Sequence, residues 1–525
     1  MKKVLLILGL LGLLAGPAVG RDSAPGDVLV VFKGEEGERV TTSSLNMGRD
    51  AFRVASIATA SGAWVKDTYP GLSEAGNSVF ALLHSDSRDA EELAGELLAR
   101  PDVLAASPNY VVRIARLSDD PITPSSSNGL WGLESIGVPE MWDTATGSSA
   151  IRVAVIDTGI DYTNPDLKDN VDYALSRNFC TSDTSAYMDD NGHGTHVAGI
   201  IGAMGDNGTG LVGVNWNVKI IALKAMDSDG SGYVSDITQA INYLVELLSA
   251  DKNLKIAAAN LSLAVYASLE PTAGNLAKEP FWRALKTLDR LNRTVIAVAA
   301  GNEGLEVGVP APYNDPSGDN AYSKGNYVYP ASFKGLNNMI SVAALSQDRT
   351  LPYFSNYNAD IAAPGVRILS TFMQSSTEDA TKKYDAYLLS DGTRVGTASG
   401  TSMATPHVAG AAALLLSAVP SLTAYQIRTA LVNADETEVQ TAAAKQRRIM
   451  NLIAALEYQE NHTIPGDPLQ VVYTEYDKAF DDKNNGNGSG TGTSSGGSGC
   501  DASAGCGLFL ILLALPWRLR RGSNR

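Results

Sequence analysis

Cysteine is scarce. Three occur in 525 residues, at positions 180, 500 and 506, which excludes a disulfide framework and offers no zinc-ligand spacing. Positive charge is also in deficit: 41 Lys and Arg against 57 Asp and Glu leave a net charge of −16. That balance argues against nucleic acid or an anionic membrane face as the main partner. No apolar run reaches the roughly 20 residues of a comfortable membrane span. No repeat of about 20–50 residues is visible, so solenoids and propellers are excluded. Histidine occurs only five times. What is present is a composition 44% hydrophobic and 19% charged, enough to bury a core and incompatible with a wholly disordered chain. At roughly 100–200 residues per domain, the length accommodates two to four.

The two ends carry address-like patterns. Lys2 and Lys3 precede an apolar stretch over residues 4–15, and Ala18, Val19 and Gly20 put small residues where a signal peptidase reads. Residues 1–20 are therefore expected to be an export signal, with the mature chain beginning near Arg21 and ending up secreted or attached to the cell envelope. Residues 484–499 are almost pure Gly, Ser, Asn and Thr, a flexible-linker composition. Cys500, Cys506, a short apolar run over 507–516 and Arg518, Arg520 and Arg521 follow. This 500–525 tail resembles the C-terminal sorting signals of bacterial surface proteins, which implies contact with the membrane or with a sorting protease.

Between the ends, residues 27–32, 78–84 and 103–114 read as strands and 88–100 as a helix, a small α+β unit within residues 21–115. Residues 116–128 hold two prolines and four serines and read as a linker. From 129 to 460 the pattern changes. Near-continuous apolar runs at 151–156, 218–223, 256–263, 295–299 and 339–343 alternate with helical stretches. Strands buried on both faces look like this, so the fold class is α/β, a mostly parallel sheet sandwiched by helices. Such sheets carry their sites at the C-terminal ends of strands. Residues 461–483 are an extension in which no function is legible.

Three segments carry chemistry. Asp157 directly follows the run ending at Ile156 and precedes the turn residues Thr158 and Gly159. His193 sits in the glycine-stripped stretch Asn-Gly-His-Gly-Thr-His-Val-Ala-Gly over 191–199, just where a helix starts. Ser402 sits in Gly-Thr-Ser-Met-Ala-Thr-Pro-His over 400–407, at the start of an Ala- and Leu-rich helix. A serine hydroxyl is a poor nucleophile until a histidine takes its proton, and that histidine needs a carboxylate to hold its tautomer. Each segment, and the order Asp, His, Ser, resembles the motifs of the subtilisin-like serine proteases, over roughly 330 residues. The alternative elbow of lipases and esterases, Gly-x-Ser-x-Gly, is not met, because the stretch 400–404 ends in Ala404.

The resemblance implies further roles. Asn302, in Ala-Gly-Asn-Glu-Gly over 300–304, corresponds to the family's oxyanion donor beside the nucleophile's own N–H. Asn260, Ser262, Leu263 and Ala264 resemble the strand that pairs with substrate and lines its primary pocket, with Ala264 standing where the family usually has glycine. Val328 and Tyr329 resemble the opposite wall, which implies a modest preference for apolar side chains before the cut. Asp166, with Asn207, Thr209 and Leu211 of the loop 205–211, resembles a structural calcium site; calcium takes six to eight oxygen ligands. No organic cofactor is implied. Pro108, Asn109 and Tyr110 resemble the end of the family's inhibitory propeptide, so the N-terminal unit is expected to be the enzyme's own intramolecular inhibitor, released by cleavage in the linker. Residues 305–326 and 374–394 read as insertions that lengthen two loops beside the presumed site, either tuning substrate access or decorating the surface. Protein or peptide substrates follow from the reading. A surface binding protein built on the same scaffold is the competing class. Such scaffolds usually lose a catalytic residue, and none is lost here.

Overall fold

Ser78–His84 alternates half-buried and buried positions, the period-2 pattern of a strand with one face on a core. In the computed structural model this strand, β3, lies inside an antiparallel four-stranded sheet of order β2-β3-β1-β4. Its partners are β1 (Ser23–Lys33), β2 (Trp64–Thr68) and β4 (Val103–Tyr110). The structure describes residues 23–34, 40, 48–69, 73, 78–110, 120–124, 130–313, 323–375, 383–434, 438–440, 445–466, 474–484 and 509–511. Two helices, α1 (Arg49–Ala60) and α2 (Ala90–Leu98), belong to the same unit, which spans residues 1–114. Val28, Val30, Phe32, Val79, Leu83, Leu93 and Leu97 form its core. The α+β expectation holds, with α1 and β2 added. Neither announces itself: α1 opens at Gly48 without a side-chain cap, and β2 lacks clean alternation.

The second unit, residues 115–525, is organised by a seven-stranded sheet of order β14-β13-β11-β9-β5-β7-β6, parallel at every pairing. Its strands are β5 (Gly147–Asp157), β6 (Arg177–Asn178), β7 (Asn217–Lys224), β9 (Lys255–Leu261), β11 (Val295–Ala299), β13 (Met339–Leu345) and β14 (Ile361–Pro364). Strand β5 shows why the sequence runs are continuous rather than alternating. Val153 and Val155 pack into one core cluster, with helices α3 (His193–Gly202), α6 (Thr401–Ala418), α7 (Ala424–Asn433) and α8 (Leu452–Asn461). Ala154 and Ile156 pack into the other, with α4 (Val234–Ala250) and α5 (Pro280–Arg290). With both faces covered, every position selects for apolar side chains.

Smaller elements fill the edges. Short strands β8 (Ser231–Tyr233), β10 (Val265–Ala267) and β12 (Tyr327–Tyr329) follow the main ones, and β10 pairs antiparallel with β12. A three-stranded sheet joins β15 (Ile368–Thr371), β16 (Tyr387–Leu388) and β17 (Arg394–Ala398). The hairpin Glu438–Gln440 with Lys445–Arg447 separates α7 from α8. Beyond residue 466 the structure describes one more helix, α9 (Glu475–Asn484). The signal segment 1–20 lies outside the described residues, as does most of the linker. Of the C-terminal tail only Phe509–Ile511 is described, beside β8. Among the described residues no helix is long and apolar enough to cross a membrane.

Candidate active site

Asp157 ends β5 and is fully buried, so its carboxylate has no bulk water to turn to. It accepts from its neighbour's backbone, Thr158 N, at 2.7 Å. His193 Nδ1 lies 2.8 Å from one of its oxygens and 3.0 Å from the other. A carboxylate only accepts, so Nδ1 carries the proton and Nε2 is the basic nitrogen. That Nε2 is buried and has no hydrogen-bond partner among the described residues. A buried base with nothing on it is what a reacting hydroxyl would meet.

The histidine's place is set by a second carboxylate that the sequence reading did not single out. Asp189 is 5% exposed and accepts five hydrogen bonds. Thr158 Oγ1, Asn191 N and Gly192 N donate to Oδ1 at 2.9, 3.0 and 2.9 Å. Thr195 N and Thr195 Oγ1 donate to Oδ2 at 2.9 and 2.5 Å. These donors flank His193 on both sides, and Gly194 N donates in turn to Thr158 Oγ1 at 2.9 Å. Backbone contact completes the loop: a Cβ at Gly194 would sit 2.1 Å from the Gly159 carbonyl oxygen, so only glycine fits. The legible signal was the Asp-Asp-Asn-Gly run before His193, which is turn chemistry.

Lys224 was also missed. It ends β7 directly opposite Asp157 in the strand register and is 4% exposed. Its Nζ donates to Thr158 O and Asp190 Oδ1 at 2.6 Å each and to Met226 O at 3.0 Å. A lone lysine closing an apolar run was the available signal.

The two histidines of the motif divide their work. His196 is fully buried, and its Nε2 donates to Ile368 O and Gly396 O at 3.0 and 3.1 Å. Burial, then the nearby His193, pushes its pKa down to about 3, so it stays neutral and braces β15 and β17 against α3. His407 is equally buried, and burial pushes its pKa down to about 4 while its Nδ1 donates to Met403 O.

Ser402 is the second residue of α6, a helix that packs against α3 and against β5, β9 and β11. Its hydroxyl donates to Ser262 O at 3.2 Å rather than to His193. Ser262 Oγ donates to Ser402 O at 2.9 Å and receives Asn260 Nδ2 at 3.0 Å, so the end of β9 and the start of α6 are laced together. Asn302 follows β11. Its Oδ1 accepts from Thr401 N at 2.9 Å and Thr401 Oγ1 at 3.1 Å. A backbone N–H can only donate, which fixes the amide orientation and leaves the NH2 group as the donor end. Asp157, Asn260 and Asn302 thus stand at or just past the carboxyl ends of β5, β9 and β11, neighbours in the sheet.

The remaining expected positions fall as follows. Leu263 and Ala264 are completely buried after β9. Val328 pairs with Tyr266 and Tyr329 with Val265, so the second expected wall runs beside β10, the strand that directly follows Ala264. Tyr329 donates its hydroxyl to Leu269 O, and burial pushes its pKa up. Asp166 is fully buried and accepts from Asn207 Nδ2 at 3.0 Å and Leu211 N at 2.8 Å. Burial, with Asp120 and Asp391 nearby, pushes its carboxyl up to about 8. Asp120 accepts from Asp206 N and Asn207 N, and Asp391 accepts from Gly210 N; Thr209 N donates to Asn207 Oδ1. Among the described residues, no group of three or more His, Cys, Asp or Glu side chains is arranged to hold a metal. Cys180 is a free thiol pushed up to about 11 by burial, which removes it as a nucleophile. Within the segment 374–394 Tyr384 is not a surface side chain: it is 2% exposed and its ring lies 4.8 Å from that of Phe372, close to Gly192 and His196.

Residues 148–466 match the model of the subtilase family. The chain belongs to that family. It is 34% identical over 331 residues to the thermophilic serine proteinase of Bacillus sp. (strain AK1), covering 63% of this chain and 67% of that protein. It is 34% identical to subtilisin E of Bacillus subtilis (strain 168) over 321 residues, 61% of this chain and 69% of the relative. Thermitase of Thermoactinomyces vulgaris is 32% identical over 340 residues, 64% of this chain and 99% of its own length. The subtilase chain is accordingly a serine endopeptidase, a hydrolase of peptide bonds. Family membership also accounts for the parallel sheet covered on both faces.

Proposed function

We propose that this subtilase is an exported, self-processed endopeptidase working through an acyl-enzyme on Ser402. The observation that carries the reading is the buried Asp157–His193 pair with its unengaged Nε2. Asp157 holds the Nδ1 tautomer and steadies the imidazolium. His193 takes the Ser402 proton as the hydroxyl attacks the substrate carbonyl, then returns it to the leaving amine. The carbonyl oxygen, now negative, is held by Asn302 Nδ2 and the Ser402 N–H at the start of α6, where the helix dipole is positive. Water then repeats the sequence to release the acyl group. The present Ser402–Ser262 hydrogen bond precedes this engagement; catalytic hydrogen bonds commonly tighten only with substrate bound.

Residues 1–20 serve as the export signal, the N-terminal unit as inhibitor, and residues 484–525 as linker and anchoring or sorting tail. The mature enzyme is secreted or held at the cell envelope of a bacterium. Asn260, Ser262, Leu263, Ala264, Val328 and Tyr329 receive substrate, with apolar side chains preferred before the cut. For calcium the donor chemistry fits: Asp166 is a fully buried carboxylate with the carboxylates of Asp120 and Asp391 nearby. Asp166, the Asn207 side chain and the Thr209 and Leu211 carbonyls would hold the ion, which would neutralise that charge and tie down the 205–211 loop.

The experiment compares intact masses of the precursor beginning at Arg21 and its Ser402→Ala twin, each labelled with a fluorophosphonate. Loss of roughly 100 residues from the N-terminus in the wild type alone, with labelling at Ser402, supports the reading. A full-length wild type that neither labels nor cuts casein defeats it.

A further inference from the structure

Helix α9 lies beyond residue 466, where the family match ends, and the mechanism above makes no use of it. It is nonetheless built into the domain. Asp477 is fully buried and pairs with the fully buried Lys286 of α5 at 2.7 Å. Four residues on, Asp481 pairs with Arg290 of α5, which is again four residues past Lys286. Phe480 meets the Trp282 ring edge-on at 6.0 Å and lies under the guanidinium groups of Arg283 and Arg290, each 4.7 Å from its centroid. Acidic and aromatic positions of one face of α9 therefore match basic and aromatic positions of one face of α5.

What α5 and α9 hold next is the pocket wall. Tyr476 covers Gly335, where a Cβ would lie 2.3 Å from its own, and its hydroxyl donates to Pro271 O at 3.3 Å. Lys286 also donates to Gly335 O, and Trp282 Nε1 donates to Lys334 O at 2.9 Å. Two residues before Pro271, the Leu269 carbonyl receives the Tyr329 hydroxyl. The Tyr329 ring packs on Phe333 at 4.6 Å, and Phe333 packs on Phe281 of α5 at 5.5 Å. Both attachments of the wall, at 269–271 and at 333–335, thus end on α5 or α9.

We propose that α9 is a positioning element for substrate selection: by clamping α5, it fixes the 269–271 and 333–335 segments and hence the Tyr329 side of the pocket. This rests on the reading of Val328 and Tyr329 as the pocket wall. Tyr476, Asp477 and Lys286 act through that wall and touch no substrate.

The test uses the full chain carrying Tyr476→Ala, Asp477→Asn, or the apolar pair Lys286→Met with Asp477→Leu. Leu452→Ala, a lesion in the opposite core cluster, is the control. Peptides with Ala or Phe before the cut give kcat and KM, and hydrogen exchange is followed over 265–272 and 327–335. For Tyr476→Ala and Asp477→Asn, KM for the Phe peptide should rise about threefold or more relative to the Ala peptide, with kcat within about twofold. Exchange of the wall amides should quicken, and the apolar pair, which also removes the Lys286–Gly335 hydrogen bond, should quicken it at least as much. Leu452→Ala should lower the melting temperature and leave the KM ratio alone. The proposal is overturned if wall exchange and the KM ratio stay at wild-type values in Tyr476→Ala, or if Leu452→Ala moves them equally. Failure of fluorophosphonate labelling in the unmutated chain would instead sink the catalytic reading, and the exchange data would still decide the clamp.

Discussion

Replacing Asp189 by Asn tests how far one buried carboxylate holds the histidine loop. Asparagine keeps a single acceptor oxygen. At best the three donors on Oδ1 retain a partner, while Thr195 N and Thr195 Oγ1 meet an NH2 group in place of Oδ2. Hydrogen bonds to a charged acceptor contribute about 1.5–3 kcal/mol each; Thr195 Oγ1 can turn to accept from the new NH2 group while Thr195 N cannot, so the substitution costs about 1.5–3 kcal/mol. The position also acts on catalysis, because Gly192 and Thr195 bracket His193 and Thr158 links the loop to the Asp157 turn. A displacement of about 1 Å at a reacting group costs on the order of 10²-fold in rate. Urea unfolding in a Ser402→Ala background, which cannot digest itself, measures the first effect, and kcat of the active variant measures the second. A loss below about 1 kcal/mol with kcat close to wild type would refute the argument. Backbone packing of Gly159 on Gly194 would then be sufficient to set the loop.

Other outcomes follow from the same geometry. Asn302→Leu should lower kcat by about 10²–10³, the range known for the matching donor in the related subtilisin, with KM little changed; an equal rise in KM would mean a binding role instead. Chelation of calcium should lower the thermal midpoint of the wild type and leave Asp166→Asn unmoved. Equal shifts in both would place the ion elsewhere. In the N-terminal unit, hydrogen bonds to Asp27 and then Asp86 raise the His84 pKa. Its protonated ring therefore stabilises the unit fully below about pH 6.5, and that contribution disappears as pH rises through the raised value. Melting of the Ser402→Ala chain near pH 5 and near pH 9 should show the N-terminal unit weakening at the higher pH, and His84→Gln should remove the difference. A pH-independent midpoint in the wild type refutes the assignment.

Much of this was legible in the chain itself, for definite reasons. Strands buried on both faces admit only apolar residues, so β5, β7, β9, β11 and β13 announced themselves as runs, and the fold class followed. Asp157, His193 and Ser402 stood out because each sits in a stretch whose glycines and small residues are demanded by close backbone approach, as at Gly194. The sequence determined the chemistry available and its order along the chain. Tertiary structure decided which of two neighbouring histidines lies against Asp157, since contacts to carbonyls 172 and 200 residues away hold His196 instead. It also decided that Asp189 and Lys224 hold the turns around Asp157 and His193, and that Tyr384 belongs beside the histidine helix. Asp477 of α9 likewise proved to be a fully buried partner of Lys286. Hydropathy patterns report burial averaged over a face, whereas a buried charge is tolerated only where distant residues supply its partners, and those partners become adjacent only on folding.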